Sequence, residues 1–134
     1  MTKTEAVIRS ILGASRVDIR PLAYSVDIAI HLIFFERIPM DDIYVTDDIY
    51  PQVAKLVKNR RGRPSTPKAV SRRIERLANL CWDTLVARNL VLDYLGAPLE
   101  DIRAPRDMIF YLAFYVYLDT PFFIVIQNQP ALLF

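Results

Sequence analysis

The chain has 134 residues, of which 53% are hydrophobic and 24% charged, with a formal charge of +2, one cysteine and one histidine. That length suits one domain around a single core, and that apolar content excludes an intrinsically disordered polypeptide. With Cys81 alone, no intramolecular disulfide and no four-cysteine zinc site can form, which fits a reduced cytosol.

In chain order, residues 3–12 place Ala6, Val7, Ile11 and Leu12 near one helical face, and Gly13 supplies a stop. Lys3, Glu5 and Arg9 interrupt any apolar block, so this start does not read as a secretory signal peptide. Residues 16–20 form a connector. Pro21 then stands at a first helical position, and Leu22, Val26, Ile30, Ile33 and Phe34 follow at helical spacing. This second helix is expected to be deeply buried and to run to about Arg37, ending before Pro39. His31 lies between Ile30 and Leu32 without a second histidine or cysteine at ligand spacing, so it reads as a core or boundary residue rather than a metal ligand. Asp41, Asp42, Asp47 and Asp48 lack the glycine turn and distal glutamate of a calcium loop, and read instead as carboxylates at helix starts.

Pro51 opens a short helix over 51–58, with Val53, Ala54, Leu56 and Val57 inward and Lys55 and Lys58 outward. Residues 59–66, N-R-R-G-R-P-S-T, form a loop, after which Ser65 or Thr66 caps a long helix over 67–88 with Pro67 in its first turn. On its wheel Val70, Ile74, Leu77, Cys81 and Leu85 face the core, while Lys68, Ser71, Arg72, Glu75, Arg76 and Asn79 take the other side. Trp82 flanks the apolar sector as a core-edge residue, or as a platform on which a base stacks.

A connection over 96–105 leads to a last helix over 106–118 that is apolar nearly all round, and such a helix must be covered all round. Part of Phe110, Tyr111, Phe114, Tyr115 and Tyr117 is therefore expected to meet a second subunit, as a homodimer, or the apolar tail 119–134, read as extended. Residues 108–126 have the length of a membrane span, but Asp119 and Pro121 favour a buried helix that stops near Asp119, so no membrane partner is expected. The expected architecture is all-α: a bundle of about six helices in one domain, 1–134, containing a helix-turn-helix over about 51–88.

The net charge conceals a strong polarity. Residues 55–76 hold nine basic side chains and one acid, Glu75, for a local charge of +8, and the remainder of the chain carries −6. A molecule so divided meets a polyanion through one side and repels it with the other. The outward cations of the long helix fall in its first three turns, the part of a recognition helix that enters a major groove. Arg61-Gly62-Arg63-Pro64 resembles the core of an AT-hook, in which a flat segment lies along the narrow minor groove of A·T-rich DNA; the alternative is a flexible basic loop that touches phosphates only. The candidate DNA-binding residues are Lys68, Ser71, Arg72, Glu75 and Arg76 at the major groove, with Lys58, Arg60, Arg61 and Arg63 on the backbone or minor groove.

The order Tyr50-Pro51-Gln52-Val53-Ala54, then Ala69-Val70-Ser71-Arg72-Arg73-Ile74-Glu75-Arg76, then Cys81-Trp82, resembles the C-terminal effector domain of the stage 0 sporulation response-regulator family. The likeness takes in Ile19-Arg20 upstream and Ala104-Pro105 downstream, and spans about 100 residues. It implies a helical transcription regulator of the bacterial cytosol and nucleoid that binds tandem promoter boxes as a dimer. By position it implies that Arg72 faces DNA, with Lys68 and Ser71 on the same surface. Ser71 stands where the family has glutamate and Glu75 where it has arginine, so the family's base preference does not carry over. The loop between the motif helices is several residues longer than the family's, and no phosphoacceptor receiver precedes the effector helices, so receiver control is not expected.

Two functions follow from these residues. The first is a sequence-specific regulator on double-stranded DNA. The second is a protein-interaction module on a helix-turn-helix scaffold that no longer reads DNA, with the aromatic last helix and tail as its partner surface. No nucleophile and base pair, metal triad or phosphate loop can be assembled from one histidine, one cysteine and three glycines, so neither an enzyme nor a cofactor is expected.

Overall fold

A computed structural model describes residues 1–99 and 104–134, and these are all-α, with seven α-helices and no strand. Helix α1, Lys3–Leu12, opens on a reciprocal cap: the Glu5 N–H donates to the Thr2 hydroxyl, and the Thr2 N–H donates to the Glu5 carboxylate. Those bonds hold the Glu5 carboxyl below its ordinary range. Gly13 ends the helix with φ +75°, in the left-handed region. The inward face is rotated from the expected one. Ile8 and Ile11 are wholly buried and Thr4 nearly so, whereas Ala6 is exposed and Val7 and Leu12 are half-buried. The buried Thr4 hydroxyl donates to Asp27 across the α1–α2 contact at 2.5 Å, which is how a polar side chain comes to sit on that face.

Helix α2, Arg20–Ile30, continues through a π-turn at His31–Phe35, where the Glu36 N–H reaches back to the His31 carbonyl. It stops at Arg37, whose φ of +58° no helix can continue. Leu22, Val26, Ile30 and Ile33 are buried as their spacing requires. His31 is not a core residue: its ring lies on the surface, stacked on Phe35 at 5.8 Å, with Nε2 3.3 Å from the Glu36 carboxylate. Asp48 accepts from the Tyr44 N–H at 2.8 Å at the start of a π-turn over Val45–Ile49, and no acidic group among the described residues is arranged to hold a metal. Helix α3, Tyr50–Leu56, follows directly with its proline in the first turn. It buries Val53 and Ala54; Val57 is buried just beyond it, while Leu56, expected inward, points to solvent.

Helix α4, Pro67–Ala87, ends at Asn89, another left-handed residue at φ +56°. Helix α5, Val91–Leu95, was missed by the sequence reading because five residues carry too little periodicity to register. Helix α6, Ala104–Leu118, occupies the centre, between α2 and α4, with α1, α5 and α7 closing the remaining sides. Met108, Ile109, Phe110, Ala113 and Phe114 are wholly buried, and Tyr111, Leu112 and Val116 nearly so. Helix α6 is thus covered within one chain.

The tail is not extended. It turns at Asp119, whose φ is +53° and whose carboxylate pairs with Lys3 at 2.9 Å, and then forms α7, Phe122–Asn128, and a 3₁₀ turn, Pro130–Leu132. Phe122 packs edge-on against Phe114 and tilted against Tyr111, both at 4.8 Å. The angle between α6 and α7 is 73°, and no single helix among the described residues is long and apolar enough to cross a membrane. Tyr115 lies against Tyr94 at 4.9 Å, and Tyr117 stacks on Phe34 at 4.4 Å while remaining 42% exposed.

Two positions give measurable consequences. Gly96 follows α5 at φ +83°, and a Cβ there would lie 2.9 Å from both Ile124 Cγ1 and Pro121 Cβ. Gly96→Ala combines backbone strain with overpacking and is expected to cost about 2–4 kcal/mol in urea unfolding, whereas Gly62→Ala, in open space at φ +75°, is expected to cost about 1 kcal/mol. Burial pushes the Cys81 thiol up to about 12. At pH 8 the native protein is therefore expected to leave a disulfide reagent unreacted over minutes, and the protein in denaturant to consume one equivalent at once.

Candidate nucleic-acid interface

Helix α4 begins where the Thr66 hydroxyl accepts from the Ala69 N–H at 3.2 Å, with Pro67 in the first turn. Val70, Ile74, Leu77, Ala78, Cys81, Trp82 and Leu85 are buried, so the helix is pinned by its whole apolar stripe, and Trp82 is a core residue at 8% exposure. That fixes which side chains look outward. Lys68, Arg72, Arg76 and Asn79 are exposed; Ser71 and Glu75 are half-buried. Arg72, Arg76 and Asn79 line an open groove together with Glu75, Leu80 and Asp83.

Of the two residues that depart from the sporulation pattern, Ser71 is engaged and Glu75, among the described residues, is not. The Ser71 hydroxyl donates to the Lys68 carbonyl of its own helix at 2.8 Å. Glu75 lies toward the α3–α4 contact, where burial first and the Glu75 charge second push the Tyr50 hydroxyl up to about 12. Arg73 is a structural tie. It donates to Asp18 at 3.3 Å, and Asp18 also accepts two bonds from the Arg20 guanidinium at 2.9 and 3.0 Å. The Arg20 hydrogen bond, with the Arg20 and Arg73 charges behind it, holds the Asp18 carboxyl below the usual range despite partial burial.

Between α3 and α4 the ten residues 57–66 form a hairpin. Lys58 and Pro64 make an antiparallel bridge, the Ser65 N–H donates to the Val57 carbonyl, and the Asn59 N–H donates to the Arg63 carbonyl at 2.7 Å. The tip closes through the Gly62 N–H on the Asn59 carbonyl at 3.0 Å, with Gly62 in the left-handed region. The Asn59 side-chain oxygen also accepts from the Arg61 and Arg63 N–H groups at 2.9 and 3.1 Å. Arg60, Arg61 and Arg63 are all exposed on this hairpin. Their segment is therefore turned through Gly62, and is not in the extended form that lies along a minor groove.

Lys55, Lys58, Arg60, Arg61, Arg63, Lys68, Arg72 and Arg76 make no ion pair among the described residues. They converge on one end of the molecule, because the hairpin joins the end of α3 to the start of α4. Of the nine cations in 55–76, only Arg73 is neutralised by a partner. Asn59 was not among the candidate residues, although an asparagine three places before a glycine in a polar run is a recognisable turn signal. Arg88, outside the cationic run, donates to the Ser10 and Ile11 carbonyls and so closes the end of α1. The segment 100–103, within the expected connection 96–105, lies outside the described residues.

No protein-family model, no curated protein and no solved structure matches the chain.

Because Asn59 makes the bonds that shape the tip, Asn59→Ala is expected to leave the melting temperature within about 2 °C of wild type while raising amide exchange at Arg61 and Arg63 at least tenfold. Exchange mass spectrometry or NMR on the two proteins checks this directly.

Proposed function

We propose that the protein binds double-stranded DNA as a transcription regulator, with the exposed side of α4 in the major groove and the basic hairpin on adjoining phosphates. The observation that carries this reading is the set of eight exposed cations, along α3, the hairpin and the first turns of α4, that make no ion pair among the described residues. A cluster of that kind repels itself in the free protein and is relieved by a polyanion. Two further features support it. The N-terminus of α4 presents its positive dipole end beside the same cations. The pairing of a short α3 with a long α4 supports a helix-turn-helix, with a ten-residue hairpin in place of the usual three- or four-residue turn. In this reading the protein acts in the cytosol on the nucleoid, and the motif order it shares with the sporulation effector domain supports the same assignment.

A second reading has its own observation. Phe35 and Tyr117 are 62% and 42% exposed, stand 5.7 Å apart, and adjoin a groove lined by Ile33, Phe34 and residues 37–39 and 128–132, none of it on α3, the hairpin or α4. An interaction module, or a homodimer of the regulator, would use that surface. Cutting the chain after Leu118 does not test it cleanly, because Phe122 and Val125 belong to the core; Phe35→Ser with Tyr117→Ser, read by sedimentation, does.

The regulator reading is tested by fluorescence anisotropy on duplex DNA over a salt series. Neutralisation of about six phosphates predicts log K falling with log salt at a slope near −5, from about 0.9 counterion per contact. Arg72→Ala is expected to weaken specific binding about tenfold or more while leaving the fold intact, because Arg72 is exposed and its side chain makes no bond with any described residue. Weak binding with a shallow salt slope, unchanged by Arg72→Ala, overturns the reading in favour of the interaction module.

A further inference from the structure

Resting on the DNA-binding reading, the geometry points to Asn79 as a specificity-determining residue that reads adenine, with Arg72 and Arg76 reading guanine, and to Ser71 as outside the base-reading set.

The argument is one of free hydrogen-bonding capacity. A side chain that reads a base edge must be exposed, must stand on the side of the helix that enters the groove, and must have donors or acceptors not already engaged. Ser71 is half-buried and its hydroxyl proton is spent on the Lys68 carbonyl at 2.8 Å. Glu75 is half-buried and lines the same open groove as an anion. Arg73 is tied to Asp18 at 3.3 Å. Arg72, Arg76 and Asn79 are exposed, line one open groove together with Glu75, Leu80 and Asp83, and make no side-chain hydrogen bond or ion pair with any described residue.

Their chemistry divides the work. A guanidinium forms two parallel bonds to the O6 and N7 of guanine, and a carboxamide pairs its oxygen with the N6 amino group and its NH₂ with the N7 of adenine. Arg72, Arg76 and Asn79 lie at successive one-turn spacings along about 11 Å of helix axis, at ~1.5 Å per residue, which is within a groove about 12 Å wide. Asp83 sets the limit of this surface. It lies one turn beyond Asn79 in the same groove, exposed and without an ion pair, and would be driven away from the phosphate backbone. Asn79 is therefore the last polar residue of this groove that can approach a base before the Asp83 carboxylate. Leu80, 38% exposed at the same place, offers the apolar contact that a thymine methyl takes.

The test is selection of binding sites from a random duplex pool by the full chain, as wild type and as Asn79→Ala, followed by affinity measurement on the selected site and on variants at each position. The expected result is a wild-type motif in which one adenine lies beside guanines. Asn79→Ala is expected to lose discrimination at that adenine alone and to bind the selected site about tenfold more weakly, with the salt slope unchanged. Asn79 is exposed and alanine favours helix, so the variant is expected to melt at or slightly above the wild-type temperature, which separates lost readout from lost fold. A selected motif that keeps the same preference at every position in Asn79→Ala overturns the inference while leaving the DNA-binding reading standing. Failure of the wild type to enrich any sequence overturns both.

Discussion

The burial of α6 is the constraint on which the rest of the molecule depends. Helix α6 carries Phe110, Phe114, Ile109, Met108 and Leu112 around its central turns, and these must be kept from water on every side, while Tyr117 in its last turn stays partly exposed. Each such side chain contributes about 1.5–3 kcal/mol on transfer from solvent, and only helices on every side can collect all of it. Helices α2 and α4 supply two walls, α1 and α5 fill the gaps, and α7 folds back at 73° to close the last side. Because α4 must give its entire apolar stripe to this task, its opposite stripe is fixed in space, and Arg72, Arg76 and Asn79 are presented by rigid helix rather than by loop.

The charged end is built on the opposite logic. Among the described residues, acids and bases elsewhere pair where they meet: Lys3 with Asp119, Arg20 with Asp18, Arg106 with Asp107. At the hairpin and the α4 start the cations are left without such partners, and the single tie, Arg73 to Asp18, anchors the helix to the segment before α2. Unpaired like charges held close together cost the folded state stability that an anionic ligand restores on binding. A ligand-linked gain of this kind belongs to the binding surface and leaves the core untouched.

Much of this was legible in the sequence, and the misses have physical causes. The all-α class, the position of α4 and its inward set of Val70, Ile74, Leu77, Cys81 and Leu85 follow from periodicity over six turns, which no short-range effect can imitate. The face of α1 was misplaced because Thr4 is buried by a hydrogen bond to Asp27, a partner 23 residues away that no local pattern reveals. His31, expected at the core or its boundary, lies one turn after the exposed Asp27, on the outer side of a helix whose other side carries Leu22, Val26 and Ile30. Pro121 reads in the sequence as a break before an extended tail, whereas it stands at the N-cap position from which α7 starts. At the candidate site, the identity of the cations was readable from the sequence, but which of them were already engaged was not. Arg73 differs from Arg72 only in pointing toward Asp18, and Ser71 only in the carbonyl its hydroxyl finds.

The fold-back of α7 also separates what the core requires of the chain from what the hairpin requires. Phe122 seals the side of α6 formed by Tyr111 and Phe114, and Gly96 exists as glycine so that Pro121 and Ile124 can come within contact distance. Without residues 121–125 the side of α6 formed by Tyr111 and Phe114 would stand open as an aromatic seam. The basic hairpin has no such dependence, because its bonds run between residues 57 and 65 alone.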